Sequence, residues 1–225
     1  ILTLSFMILM MTACASPADQ QAGMGNPEQN SAASTDSESL GNNSVEGNGT
    51  LFERIDASIL KPSEGLNFES NGDGTCTLIG IGICKDSDVV IPAESPEGEI
   101  LSSIEKQAFF SLEDVNSVTL LNVSCEVEES AFSYSEITAL HIIGGEPVIG
   151  QSAFSGCEDL VSVSICENDR TDNVISIEDQ AFAYCRDLTT AVIGDGTVKI
   201  GDGVFSECAK DLTITIAGQS YMNLS

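Results

Sequence analysis

A spacing that recurs along the second half of the chain constrains its fold more than any other feature. In five segments an aliphatic residue stands five positions before a phenylalanine, and an alanine or valine directly precedes that phenylalanine. The phenylalanines are Phe109, Phe132, Phe154, Phe182 and Phe205, which lie 23, 22, 28 and 23 residues apart. A period of this size indicates stacked repeats, because one such unit is too small to enclose a core of its own.

Each phenylalanine is followed by alternating aliphatic residues. The third unit shows the pattern with Leu160, Val163 and Ile165. Such alternation predicts a strand with one buried face, and strands of successive units would pair about 4.8 Å apart. We expect the segment before each phenylalanine to form a tight turn or short helix that carries the ring inward. The 28-residue spacing contains a polar insertion, which predicts a longer loop.

The pattern I-x-x-x-A-F-x-x-C-x-x-L-x-x-V-x-I resembles the BspA-like leucine-rich repeats of bacterial and some protist surfaces. Upstream, residues 71–74 (NGDG) predict a hairpin turn, and residues 88–92 (DVVIP) look like the family's first strand. The resemblance covers about residues 65–216. It implies an α/β, strand-dominated leucine-rich repeat solenoid, with about five repeats of 22–28 residues behind an N-terminal β-hairpin cap. It also implies cell-surface binding and no catalytic residues.

The N-terminal part predicts export and a tether. Residues 1–13 are mostly apolar but too short to span a bilayer, and they fit part of a signal peptide whose start lies upstream. The sequence MTAC ending at Cys14 resembles a lipobox, so we expect lipidation of Cys14, with a plain secretory signal as the alternative. Residues 14–64 then predict a disordered linker, residues 65–95 the cap hairpin and first strand, and residues 96–225 the repeats.

Charge and composition exclude several functions. The 225 residues include 35 acidic and 8 basic side chains, a net charge of −27, which is the wrong balance for binding nucleic acid. The one histidine, His141, falls on a predicted strand with its side chain pointing outward, so we expect a solvated or ligand-contacting residue. No combination of nucleophile, base and oxyanion donor is apparent. We therefore expect no enzyme activity, no cofactor and no metal.

Three cysteines occupy one phase of the repeat, namely Cys157, Cys185 and Cys208. Their spacings of 28 and 23 residues match no zinc motif, which needs close pairs. We expect them to form a buried structural column beside the five phenylalanines. A disulfide between Cys76 and Cys84 stays open as an alternative for an extracellular protein.

The outward side of the predicted strands is free of charge. Alternate residues give ten positions without a carboxylate, which are Ser117, Thr119, Ala139, His141, Ser162, Ser164, Thr190, Val192, Thr213 and Thr215. Two explanations are open, namely the preference of threonine and valine for strands and a docking surface.

The sequence thus predicts a monomeric protein that is lipid-anchored on the extracellular face of a bacterial envelope. We expect it to mediate protein binding or adhesion through the strand face. The resemblance suggests host matrix or other surface proteins as partners, and the lipid anchor is the only membrane contact expected. A passive envelope spacer is the alternative function.

Overall fold

The structure, a computed structural model, describes residues 57–165, 174–194, 197–216 and 219–222. The predicted signal segment, Cys14 and the linker up to residue 56 lie outside the described residues, as do Cys166 and the polar insertion. Apart from one 3-10 turn at Ala57–Ile59, the regular elements in the described part of the chain are strands.

The strands form two seven-stranded sheets. Sheet A contains β1 (Asn67–Ser70), β2 (Thr75–Gly80), β4 (Ile100–Ile104), β6 (Glu126–Val127), β8 (Val148–Ile149), β10 (Val174–Ile177) and β12 (Thr197–Ile200). Sheet B contains β3 (Asp88–Pro92), β5 (Ser117–Leu121), β7 (Ala139–Ile143), β9 (Ser162–Ile165), β11 (Thr190–Ile193), β13 (Thr213–Ile216) and β14 (Gln219–Met222). The chain alternates between the sheets, and pairing is parallel except at β1–β2 and β13–β14. The predicted leucine-rich repeat solenoid is confirmed.

Sheet A is the part of the repeat that the sequence did not predict. Each aliphatic residue that precedes a phenylalanine by five positions ends a strand of this sheet. The expected turn or short helix is therefore a strand end followed by a turn. Strands β6 and β8 have two residues each, so they are too short for an alternating pattern to appear in the sequence.

The inner rows of both sheets and the phenylalanine side chains form one hydrophobic core. The five phenylalanine rings lie in a single stack, with neighbouring centroids 4.6–5.6 Å apart and planes within 11° of parallel. Aliphatic side chains from successive strands line up in the same way; Leu120 and Ile142 of sheet B, for example, are register partners and fully buried. One unit alone would leave these faces in water, so the core exists only in the stack.

The turns around the phenylalanines have an unusual and regular backbone. Residues two positions before and two positions after each phenylalanine have positive φ, and they are Gln107, Ser111, Ser130, Tyr134, Ser152, Gly156, Gln180, Tyr184, Gly203 and Glu207. This conformation directs alternate N–H groups towards the next unit: Phe132 donates to the carbonyl of Ala153 (2.8 Å) and Tyr134 to that of Ser155 (3.0 Å). We call this third row of hydrogen bonds between units the turn ladder.

The N-terminal end of the stack is covered on both sheets. The hairpin β1–β2 covers sheet A, and its turn at residues 71–74 agrees with the sequence prediction. Asp73 in that turn accepts hydrogen bonds from the hydroxyl and N–H groups of Thr75 (2.6 and 3.0 Å), which lower the pKa of its carboxyl group. On sheet B, Ser63 donates its N–H to the carbonyl of Val90 (2.9 Å), and its hydroxyl oxygen accepts the N–H of Val90 (3.0 Å). The N-terminal cover therefore includes Ser63, a residue of the segment predicted as linker up to residue 64.

Candidate binding face

The register of sheet B brings the uncharged positions together on one outward surface, which we call the strand face. One row contains Ser117, Ala139, Ser162, Thr190 and Thr213, and the next contains Thr119, His141, Ser164, Val192 and Thr215. Strands about 4.8 Å apart place these side chains against their row neighbours. The strand face is thus a continuous surface built from the same two positions of every unit.

Solvent exposure differs among the residues of the strand face. Thr119 and Ser164 are only 5% and 4% exposed, whereas the other eight positions are half-buried. The register places His141 directly between these two hydroxyls. Thr119 and Ser164 therefore offer little surface to a ligand, which differs from their predicted role as exposed contacts.

Strand β3 adds a carboxylate at the margin of the strand face. Asp88 is the register partner of Ser117, and it accepts hydrogen bonds from the hydroxyl of Ser117 (2.7 Å) and the amide of Asn116 (3.1 Å). These hydrogen bonds lower the pKa of the Asp88 carboxyl group. The ten predicted positions are uncharged, but the surface ends in an anion at this margin.

A third outward row is apolar, and the sequence pattern did not predict it. Pro92, Leu121 and Ile143 are register partners at the C-terminal ends of their strands, and all three are half-buried. Leu121 and Ile143 each lie two residues beyond a recognised outward position, so continuing the alternation by one step would have found them. Pro92 lies beside them through the register of β3 with β5. The strand face therefore has two polar rows and an apolar border.

The three cysteines of one phase lie in a column beside the phenylalanine stack. The thiol of Cys157 is 3.1 Å from the carbonyl oxygen of Phe132, that of Cys185 is 3.2 Å from Phe154, and that of Cys208 is 3.1 Å from Phe182. Each thiol thus donates to the turn of the preceding unit. Hydrogen bonding to the neighbouring sulfurs, together with burial, raises the pKa of the Cys185 thiol.

The geometry gives these cysteines contacts within the core rather than with solvent. Cys157 and Cys185 are fully buried, and Cys208 is half-buried. Cys76 and Cys84 are free thiols, so the disulfide considered for them is not formed.

Exposed aromatic rings on the turns form a second surface that the sequence did not reveal. Phe110, Tyr134 and Tyr184 are 46%, 61% and 50% exposed. The rings of Phe110 and Tyr134 meet edge to face with centroids 5.6 Å apart. Tyr134 also lies against Gly156, where a β-carbon would be 2.6 Å from the ring. Three exposed aromatic side chains therefore lie on the turns.

The side chains of the described residues show no arrangement that would hold a metal ion. No group of three or more histidine, cysteine, aspartate or glutamate side chains there is arranged to hold a metal ion. His141 lies on the strand face between two hydroxyl side chains. Within the same residues, no helix has the length and apolar character needed to cross a membrane.

Comparisons with known proteins agree with this architecture. The sequence pattern described as "BspA type Leucine rich repeat region" matches residues 90–213 in six copies, one more than the five repeats counted from the phenylalanines. Sheet B explains the difference, because it contains six parallel strands and the first, β3, precedes any Ala-Phe motif. Among curated proteins, none matches the sequence.

Two solved structures are similar to the chain. A leucine-rich repeat protein from Bacteroides capillosus is 23% identical with a TM-score of 0.41, and the match covers 68% of this chain and 95% of that one. A leucine-rich cell surface protein from Faecalibacterium prausnitzii is 21% identical with a TM-score of 0.41, and the match covers 70% of this chain and 42% of that one.

The family gives a general role and no particular partner. Leucine-rich repeats of this type are in general non-catalytic, mediate protein interactions and are typical of bacterial surfaces. The match spans more than half of the chain, and the two sheets and the phenylalanine stack account for the residues that carry it. The chain belongs to the BspA-type leucine-rich repeat family.

Proposed function

We propose that the protein binds a partner protein outside the cell through the strand face of sheet B. The observation that carries this proposal is the distribution of charge. The chain has 35 acidic residues, yet the ten predicted strand-face positions carry no carboxylate, while sheet A exposes charges such as Glu126 and Lys199 on its outward row. The preference of threonine for strands does not explain this difference, because both sheets are built from strands.

The accessible part of the strand face suits a protein surface. Ser117, Ser162 and Thr190 present short side chains that lose little rotamer entropy on binding. Their hydroxyls both donate and accept hydrogen bonds. The apolar border formed by Pro92, Leu121 and Ile143 adds surface whose burial favours association. Extracellular matrix proteins are the partner class that we propose to test first.

The proposed location is the outer side of the membrane, with Cys14 as the lipid anchor. The support is the short apolar stretch that ends in the lipobox-like sequence MTAC. Two or more acyl chains suffice for stable anchoring. Intact-mass analysis of the protein from a membrane fraction is expected to show a diacylglyceryl group on Cys14. An unmodified mature chain in the soluble fraction would contradict the anchor.

The binding proposal is tested by placing carboxylates on the strand face. Ser162→Glu and Thr190→Glu together put two charges on neighbouring strands at half-buried positions. We expect adhesion to immobilised matrix proteins to fall about tenfold or more, because a buried charge without a partner weakens an interface by several kcal/mol. Thr119 and Ser164 are unsuitable for this test, since glutamate at a buried position would disturb the fold.

The matched control places the same charges on sheet A. Val148→Glu and Ser176→Glu also change half-buried register partners on neighbouring strands. This control variant is expected to bind as the unchanged protein does, and thermal melts of both variants check that they fold. Equal loss of adhesion in the two variants, or full adhesion of the strand-face variant, would rule out sheet B as the binding surface.

A further inference from the structure

A groove opens where the N-terminal segment meets the first strands of sheet B. Its volume is about 770 Å³, and twelve residues between Pro62 and Asn122 line it. It adjoins the apolar border of the strand face, because Pro92 and Leu121 belong to both. A volume of this size is typical of sites that take a small molecule or a few residues of a peptide.

The walls of the groove are largely apolar. Pro62, Phe68, Pro92, Pro96 and Leu121 contribute side chains without hydrogen-bonding groups. Three of them are prolines, whose fixed φ angles limit how far the walls can move. A ligand entering the groove therefore removes apolar surface from water and loses little free energy to rearrangement of the protein.

Hydrogen bonds around the groove hold its shape. On one side, Ser63 is fixed to Val90 through both its N–H and its hydroxyl group. On the other, the buried hydroxyl of Ser95 accepts hydrogen bonds from the N–H groups of Glu97 and Glu99, each at 3.3 Å. The N–H of Gly98 donates to the carbonyl of Ser95 (2.9 Å) and closes the same loop. The groove is thus formed before any ligand binds.

Two carboxylates line the groove, and no ion pair with a described lysine or arginine neutralises them. Glu64 and Glu94 both line it and both are exposed. Within the described residues, neither forms an ion pair, whereas Lys106 pairs with Glu129 and Arg186 pairs with Glu158 elsewhere on the surface. No lysine or arginine lines the groove. The site combines apolar walls with an uncompensated negative rim.

We propose that this groove binds a cationic peptide segment, in which a lysine or arginine stands next to an apolar side chain. The apolar side chain fills the space between the prolines and Leu121, and the cation meets Glu64 or Glu94. An anionic ligand would face both carboxylates and a chain of net charge −27. The same charge attracts basic partners from a distance and raises their association rate.

This site adds to the proposed function and does not require it. The strand face would contact a folded partner over several strands, whereas the groove recognises one extended segment. Its closeness to Leu121 means that one partner protein can use both surfaces. Either surface can also bind without the other, so their tests can fail separately.

The groove is tested with short labelled peptides and the full chain. The probe is a fluorescein-labelled hexapeptide of alternating lysine and leucine. Two control peptides have glutamate or serine in place of each lysine. We expect the lysine peptide to bind in a fluorescence-anisotropy titration, with affinity that falls as salt is raised. Equal binding of the glutamate or the serine peptide would overturn the cation requirement, and so would absence of lysine-peptide binding at millimolar concentration.

Variants separate the groove from general attraction to an acidic protein. Glu64→Gln with Glu94→Gln is expected to weaken lysine-peptide binding about tenfold. The control, Glu69→Gln with Glu97→Gln, removes two exposed carboxylates that do not line the groove and is expected to change binding less than twofold. Equal losses in both pairs would show non-specific attraction and overturn the proposal.

A further variant tests the apolar wall, and a cross-check separates the two proposals. Leu121→Gln keeps the charge and is expected to weaken binding as well, with a thermal melt to show that the sheet remains folded. Unchanged binding of this variant would contradict the groove as the site. The strand-face variant with Ser162→Glu and Thr190→Glu is expected to keep peptide binding. Loss of matrix adhesion therefore tests the strand face, and loss of peptide binding tests the groove.

Discussion

The two ends of the solenoid are packed differently. At the N-terminal end the rings of Phe109 and Phe132 lie 4.6 Å apart at an angle of 4°, whereas at the other end Phe182 and Phe205 are 5.6 Å apart at 10°. The two intermediate distances, 4.9 and 5.3 Å, increase in the same direction. The stack therefore loosens steadily from its first described turn to its last.

Burial is also lower in the last described unit. The inner side chains of β13, Ile214 and Ile216, are half-buried, whereas their counterparts Leu140 and Ile142 on β7 are fully buried. The N-terminal end has a hairpin on sheet A and Ser63 on sheet B, but among the described residues the last unit has only β14 beside it on sheet B. In a repeat protein each unit is stabilised mainly by its two neighbours, so cover at an end determines how tightly that end packs.

The largest expected effect is on the phenylalanine stack. Phe154→Ala removes a fully buried ring that contacts rings on both sides, so we expect a loss of about 3–5 kcal/mol in the free energy of unfolding. Phe205→Ala removes a ring with one stacked neighbour, and we expect about half that loss. Urea denaturation followed by circular dichroism measures both values. Equal losses would mean that the looser end is as well packed as the middle.

A second contrast concerns thiols and alkaline pH. Burial raises the pKa of Cys125 to about 12, so in the folded state this thiol stays neutral at pH values where it ionises in the unfolded chain. The contribution of Cys125 to the free energy of unfolding is therefore unchanged below pH 9 and falls between pH 9 and 12, by about 1.4 kcal/mol per pH unit. Cys125→Ala is expected to flatten this decline in urea titrations at pH 8, 9 and 10.

Cys208 at the looser end is the control for that effect. A hydrogen bond with Cys185 lowers the pKa of the Cys208 thiol, which is also only half-buried. A lowered pKa contributes no loss of stability as pH rises, so Cys208→Ala should not flatten the alkaline decline. If Cys208→Ala flattens the decline as Cys125→Ala does, the two thiols do not differ in the direction of their pKa shifts.

The smallest expected effect is on backbone strain in the turn ladder. Gln107 in the first turn and Gly203 in the last occupy the same phase, with φ of 62° and 61°. Gln107→Gly is expected to raise the free energy of unfolding by about 0.5 kcal/mol, since an exposed side chain with positive φ is strained. Gly203→Ala is expected to lower it by about 1 kcal/mol, although nothing lies closer than 3.5 Å to the added carbon. Changes of the same sign would show that contacts, not φ, decide stability here.

The sequence was sufficient to predict sheet B, the interior stack and the cap hairpin. Those predictions rest on residues that recur with a fixed period, as Phe132, Phe154 and Phe182 do. Successive units of a stack make the same contacts, so once one motif is recognised, the other copies can be found at the same spacing. The ten strand-face positions follow from the strict alternation of a strand, and their role as a binding surface stays a prediction.

The sequence could not predict sheet A, the turn ladder or the groove, for physical reasons. A two-residue strand such as Val148–Ile149 contains too little alternation to be seen. Positive φ at Tyr134 and Tyr184 is unexpected for bulky residues and follows from hydrogen bonds between units. The burial of Thr119 depends on its neighbours on other strands, and the groove joins residues that are far apart in sequence.

The turn ladder aligns peptide dipoles along the stack of units. Each of its hydrogen bonds runs from an N–H group of one unit to a carbonyl of the next, so the dipoles of the peptide groups in the ladder point the same way and add. The N–H groups of Gly203, Phe205 and Glu207 stand at the end of this series, and no following turn accepts them within the described residues. The turns thus concentrate partial positive charge at one end of a chain of net charge −27. The ladder is thus polarised in the same sense as the hydrogen bonds of an α-helix, although it runs between turns.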